Sequence, residues 1–79
     1  MRVHVKLLGN VRRYLGDHVE PLEVVLLGES AVVADATHAL GIPDDEPLVV
    51  GVNGRVGDLT TAIADGDTLT LVTPMAGGA

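Results

Sequence analysis

The stretch with the most chemical potential is Thr73-Pro74-Met75-Ala76-Gly77-Gly78-Ala79, the exit from an alternating run that begins at Thr68. Pro74 has no backbone N–H to give to a ladder, and Gly77 and Gly78 have no Cβ to pack. Residues 74–79 are therefore expected to leave the body of the protein as a flexible tail. From Met75 to Gly78 an extended tail reaches at most about 13 Å. That is far enough to carry bare backbone into the active site of another protein.

Other residue types that carry chemistry are sparse. There is no cysteine, which removes disulfides, thiolate metal sites and a cysteine nucleophile together. His4, His18 and His38 fall on three different expected elements and are not read as a metal site. Asp44-Asp45-Glu46 lacks the ligand spacing and glycine of an EF-hand and reads as a solvated loop. Arg12, Arg13 and Arg55 are suited either to acidic groups of a partner or to simple surface solubility. No nucleophile, base and orienting group are spaced as a catalytic set.

With 79 residues the chain is expected to form one domain, residues 1–79, with a single core and modest stability. Its formal net charge of −6 includes only five Lys plus Arg, too few for the cationic face that phosphate contacts require. Tyr14 is the only aromatic residue, so base stacking is excluded as a main mechanism. Nucleic acid is not an expected partner, and an acidic body is suited to a partner with a basic docking surface. No apolar run approaches the roughly 20 residues that span a bilayer, and no signal-like segment opens the chain. A cytoplasmic protein without membrane association is expected.

The elements that must position the tail follow from periodicity. Met1 to Leu8 alternates Val3, Val5 and Leu7 with polar residues, the pattern of a strand with one buried face. Gly9-Asn10 breaks it, and Val11 to Leu15 before Gly16 reads as a single helical turn or a structured loop. His18 to Leu27 is strand-like, with Leu22, Val24 and Leu26 competing against Val25 and Leu27 for the inward side, and Pro21 pointing to an edge or bulge. Glu29 to Leu40 is the helix candidate, capped by Ser30 and stopped by Gly41. Leu48 to Val52 is a strand, and Asn53-Gly54 is the strongest hairpin signal in the chain. After Arg55-Val56, residues 57–64 read as irregular, with room for a short turn of helix. Asp65-Gly66-Asp67 then turns the chain into a last strand, Thr68 to Thr73, with Leu69 and Leu71 facing one way. Together these elements predict an α+β fold, a mixed sheet clasping one helix.

Several of these stretches, in this order, resemble the ubiquitin-like sulfur carriers, the family of the molybdopterin synthase small subunit and the thiamine sulfur carrier. They are Val52-Asn53-Gly54-Arg55, Asp65-Gly66-Asp67 and the ending Pro74-Met75-Ala76-Gly77-Gly78. Leu7-Leu8-Gly9-Asn10-Val11-Arg12 with Leu15-Gly16 is similar to the segment after the first strand in the molybdopterin branch. Val33-Ala34-Asp35 with Leu40-Gly41-Ile42-Pro43 is similar to the family's helix. The likeness covers essentially the whole chain and implies a ubiquitin-like β-grasp fold. Arg13, Val32 and above all Ala79 depart from the family pattern, in which carriers ready for activation end in the diglycine.

The resemblance implies a carrier rather than an enzyme. Its Gly78 carboxylate would be adenylated by a ubiquitin-activating-type adenylyltransferase and converted to a thiocarboxylate, with Gly77 as spacer. ATP and Mg²⁺ would belong to that partner, and no cofactor is expected on this chain. Glycine suits the role because a narrow channel admits bare backbone, and adenylation supplies a good leaving group for attack by sulfur. The implied recipient is the large subunit of molybdopterin synthase or another sulfur-accepting enzyme, such as one for thiamine or cysteine synthesis. A ubiquitin-like binding module or protein modifier without sulfur transfer is the alternative from another class. Ala79 is expected either to be removed by a processing metalloprotease, exposing Gly78, or to be tolerated by the activating enzyme. Leu8, Val49, Val72, Pro74, Met75 and Arg12 are the expected docking residues, provided that the strand alternation holds.

Overall fold

The computed structural model describes residues 1–14, 22–28 and 30–74. The first strand, β1 (Arg2–Leu8), alternates strictly, with Val3, Val5 and Leu7 completely buried. A 3₁₀ helix, Gly9–Tyr14, follows and buries Val11. It starts at Gly9, whose φ of +73° is a conformation that a side chain would strain. Next come β2 (Leu22–Val25), β3 (Ala31–Val32), α1 (Val33–Ala39), β4 (Val49–Val52), β5 (Arg55–Gly57), β6 (Ala62–Ile63) and β7 (Thr68–Val72).

Five strands form one mixed sheet in the order β2-β1-β7-β4-β5. The central pair, β1 and β7, is parallel, and the other three pairs are antiparallel. One face receives Val33, Ala36 and Thr37 of α1, which join Val3, Val5, Leu7, Leu22, Val24, Val50, Leu69 and Leu71 in the core. Ile42 and Ile63 close its ends. Thr37, the one polar residue among the described residues that is buried as a whole, donates its hydroxyl to the Ala34 carbonyl at 3.0 Å and so is not left unpaired. This is the ubiquitin-like β-grasp architecture.

Local chemistry explains the turns. Asn53 takes the left-handed conformation (φ 53°) ahead of Gly54 (φ 84°), as the tightest hairpins require. The Asn53 side chain donates to Asp67 Oδ1 at 3.0 Å and accepts from the Thr68 N–H at 2.9 Å. Asp67 Oδ2 also accepts from the Ala64 N–H at 2.7 Å, and Asp65 Oδ1 accepts from the Arg2 N–H at 2.7 Å. The Asp-Gly-Asp turn is thereby tied to both the hairpin and the start of β1.

Two expectations are corrected, and one open parity is resolved. The helix begins at Val33 rather than Glu29, because Ala31–Val32 pair with Ala62–Ile63 in a two-strand ladder. Ser30 is not the cap. Instead Val32 holds the N-cap position, and Asp35 Oδ2 accepts its N–H at 2.8 Å. The segment after β5 is also more ordered than its sequence suggested, since it contains β6 and a turn in which Asp58 Oδ1 accepts from the Thr60 N–H and hydroxyl at 2.8 and 2.6 Å. Those donors hold the Asp58 carboxyl below its usual range. Finally, β2 resolves the competing parities: Leu22 and Val24 point inward, while Val25 and Leu27 are exposed. Pro21 and the remainder of residues 15–21 lie outside the described residues.

Candidate functional site

The site is built where the chain leaves β7. The Thr73 N–H donates to the Leu8 carbonyl at 3.3 Å, continuing the parallel pairing one residue past the strand. Pro74, exposed, ends it. Close to this exit a Cβ added at Gly9 would meet the Thr73 carbonyl oxygen at 3.5 Å, so the 3₁₀ segment runs against the exit. The Thr73 hydroxyl is buried there without a hydrogen-bond partner among the described residues. Met75, Gly77, Gly78 and Ala79 lie outside the described residues.

Alternation and register place the expected docking residues side by side. Leu8 pairs with Val72 across β1 and β7, and Val72 pairs with Val49 across β7 and β4. All three stand on the sheet face away from α1, with Leu8 43% and Val49 45% exposed. Directly opposite residues in a sheet hold their Cβ atoms roughly 5 Å apart, so the three form one continuous aliphatic row beside the exit. Arg12, exposed on the 3₁₀ helix, follows Leu8 by four residues.

The next row on the same face runs Lys6, Thr70, Gly51 and Val56 across β1, β7, β4 and β5. Because Gly51 presents no side chain, it floors an open depression of about 260 Å³ walled by Val49, Val56, Thr70, Val72 and Arg55. Sequence reading missed this depression. Its signal was a glycine in mid-strand with no turn residue beside it, which means something only once the neighbouring strands are in register.

Charge on this face differs from that of the chain as a whole. β1 directs Arg2, His4 and Lys6 outward, and Arg2 lies 3.6 Å from Glu23. Lys6 forms no ion pair among the described residues, whereas Arg55, which pairs with inward-facing Val52, belongs to the opposite face. The exposed Asp35, Asp44 and Asp45 lie on the helix and the loop that follows it.

Other candidates resolve into structural roles. Arg13 and the Tyr14 hydroxyl (2.8 Å) both donate to Glu46 Oε1, and Arg13 also donates to the Asn10 carbonyl at 3.0 Å. The guanidinium sits over the Tyr14 ring, 4.7 Å from its centre. This clasp ties the 3₁₀ helix to the loop before β4, and the hydrogen bond to Glu46 raises the Tyr14 pKa above its ordinary value. His38 Nε2 meets Asp44 Oδ1 at 2.5 Å in an exposed hydrogen-bonding contact. Among the described residues no three metal-binding side chains converge; His18 lies outside them. No helix among them is long and apolar enough to cross a membrane.

A β-grasp body with an aliphatic row at the exit of its last strand defines a carrier- or modifier-type domain. Residues 5–78 match the model of the ThiS family, and the chain belongs to that family. Its structure is similar to that of SAMP1 from Haloferax volcanii, at 29% identity and a TM-score of 0.75, covering 99% of this chain and 100% of that one. A second structure, of H. volcanii small archaeal modifier protein 1, gives 27% identity and a TM-score of 0.71, covering 94% and 98%. A candidate molybdopterin converting factor, subunit 1, from Pyrococcus furiosus shares the fold at 22% identity and a TM-score of 0.73, covering 95% and 99%. No curated protein gives a significant sequence match.

Proposed function

We propose that the protein is a ubiquitin-like sulfur carrier that works through the carboxylate of Gly78. The observation that supports this most is a family match running through residue 78, on a β-grasp body whose aliphatic row borders the exit toward the diglycine. Docking of the Leu8–Val72–Val49 row, together with Arg12, Pro74 and Met75, would hold the body while Gly77 and Gly78 thread toward ATP on an adenylating partner. A Gly78 carboxylate oxygen attacks the α-phosphorus of ATP, and pyrophosphate leaves. Sulfur at the sulfide level then attacks the acyl carbonyl and AMP leaves, giving a thiocarboxylate. Ala79 blocks this chemistry until the Gly78–Ala79 bond is hydrolysed, a task suited to a processing metalloprotease.

The recipient is a sulfur-accepting enzyme. Molybdopterin synthesis, favoured by the Val11-Arg12 segment, is one destination, and thiamine or cysteine synthesis is another. A second reading draws on the likeness to a small archaeal modifier protein: the activated Gly78 is passed to a lysine amine, forming an isopeptide bond. Both readings share adenylation, so ATP–pyrophosphate exchange is the first test. The chain ending at Gly78 should support exchange with the adenylating enzyme of its source organism, and a Gly78→Ala form should lose most of it. Exchange that is indifferent to residue 78 would remove both readings.

A further inference from the structure

We infer that the ε-amine of Lys6 is the acceptor of the chain's own activated Gly78, closing the tail into a lactam when no sulfur arrives. This goes beyond sulfur delivery and rests on the activation of Gly78 proposed above. Lysine is among the commonest residues of globular proteins. Here Lys plus Arg total five, and Arg2, Arg12, Arg13 and Arg55 account for four of them, which leaves Lys6 as the only lysine. A guanidinium stays protonated and does not take an acyl group, whereas a lysine amine does. An activated glycine on this chain therefore meets a single side-chain amine. The nitrogen of Met1 is held back from the same reaction. It donates, partly buried, to the Leu26 carbonyl at 2.9 Å, while the Leu26 N–H returns a bond to the Met1 carbonyl at 2.8 Å. Met1 also stands at the far end of β1 from the exit, since His4 is level with the start of β7 and Leu8 with its last residue.

Register places Lys6 within reach of the tail. It is exposed on the outer face, forms no ion pair among the described residues, and lies opposite Thr70 on the neighbouring strand. From Thr70 to Pro74 the chain advances four residues, about 13 Å at the rise of a strand. A lysine side chain leaning toward the exit covers about 6 Å of that length. The gap that remains, with the offset between neighbouring strands added, is about 8–9 Å. Four steps from Pro74 to Gly78 span at most about 14 Å, so a tail that turns back over Val72 has length to spare. Gly77 and Gly78 have no Cβ to obstruct the reversal.

In the reaction the Lys6 nitrogen attacks the Gly78 carbonyl carbon of the acyl adenylate. AMP leaves with the electron pair of its C–O bond, the nitrogen gives up a proton to solvent, and an amide joins Gly78 to Lys6. No oxidant or reductant takes part. A short flexible tether holds the amine at an effective concentration in roughly the millimolar range, so it competes with amines free in solution. Sulfide that arrives first gives the thiocarboxylate instead. The lactam removes the carboxylate and withdraws a carrier that has outrun its sulfur supply.

The test uses the chain ending at Gly78, prepared as a C-terminal thioester by intein cleavage, which carries an activated glycine without the adenylating enzyme. In mildly alkaline buffer it should convert to a species roughly 18 Da lighter than the hydrolysed acid, the water lost in forming an amide. The rate should not depend on protein concentration, and proteolysis should release a peptide in which Lys6 is joined to Gly78. Lys6→Arg should give the acid alone. Hydrolysis to the acid alone in the parent would overturn the inference, as would closure of Lys6→Arg at the parental rate. A rate that rises with concentration and gives linked pairs of chains would overturn it too, by making a second copy the acceptor. Each of these results leaves the carrier reading intact, because pyrophosphate exchange reads it separately. A chain ending at Gly78 that supports no exchange would overturn both.

Discussion

At the residue scale the proposed reacting group is legible in sequence and its surroundings are not. Gly77 and Gly78 stand out because glycines after a proline bring no side chain. Gly51 does not, because its meaning depends on Thr70 and Val56, which only strand pairing brings to it. The Arg13–Tyr14–Glu46 clasp was equally hidden, since its members are 33 and 32 residues apart. Tyr14 is the only aromatic residue, so its ionisation can be followed by absorbance without interference. Its pKa is raised chiefly by the hydrogen bond to Glu46. Stability from that bond is present in full below the unfolded tyrosine pKa and is lost as pH rises through the higher folded value. Titration of the native protein should place the tyrosine above the free phenol, and Glu46→Gln should bring it down. Identical titration curves would show that the clasp does not hold the hydroxyl.

At the element scale, alternation in β1 and β7 and the Asn-Gly hairpin were readable because period and turn chemistry are local properties. The start of α1 was not. Ser30 and Glu29 look like a helix start, but Ala31 and Val32 pair with residues some thirty positions later, and that ladder sets the boundary. The turn between β5 and β6 is a second non-local device. Gly57 packs under Thr61, whose hydroxyl accepts from the Asp58 N–H at 2.9 Å. Gly57→Ala should displace Thr61 and cost about 1–3 kcal/mol by overpacking, measured by urea unfolding, whereas Gly51→Ala should be close to neutral. A Gly57→Ala protein as stable as its parent would show that Thr61 moves aside freely. Asp58, held below its usual pKa by Thr60 and Thr61, contributes stability above the unfolded aspartate pKa that is lost as pH falls through the folded one.

At the scale of the whole molecule, one small aliphatic core supports a sheet that uses its two faces differently. The inner face holds the helix, and the outer face holds the aliphatic row and the depression over Gly51. Completely buried Leu71 lies on β7 beside outward-facing Val72, so the core and the proposed docking face meet on a single strand. Leu71→Ala should cost about 2–5 kcal/mol, a large part of the stability of a domain this size. Val72→Asp should spare the core and weaken docking. Net charge, the coarsest property of the sequence, does not show how charge is shared between the faces: the outer face carries Lys6 and an Arg2 matched by Glu23, and the exposed Asp35 lies on the helix.

The central claim is that Gly78 becomes a sulfur-bearing terminus, and intact-mass analysis of protein purified from its native cells tests it most directly. The expected species ends at Gly78 and is heavier by roughly 16 Da, the replacement of one carboxylate oxygen by sulfur at an activated acyl group. A population that ends wholly at unmodified Ala79 would contradict it.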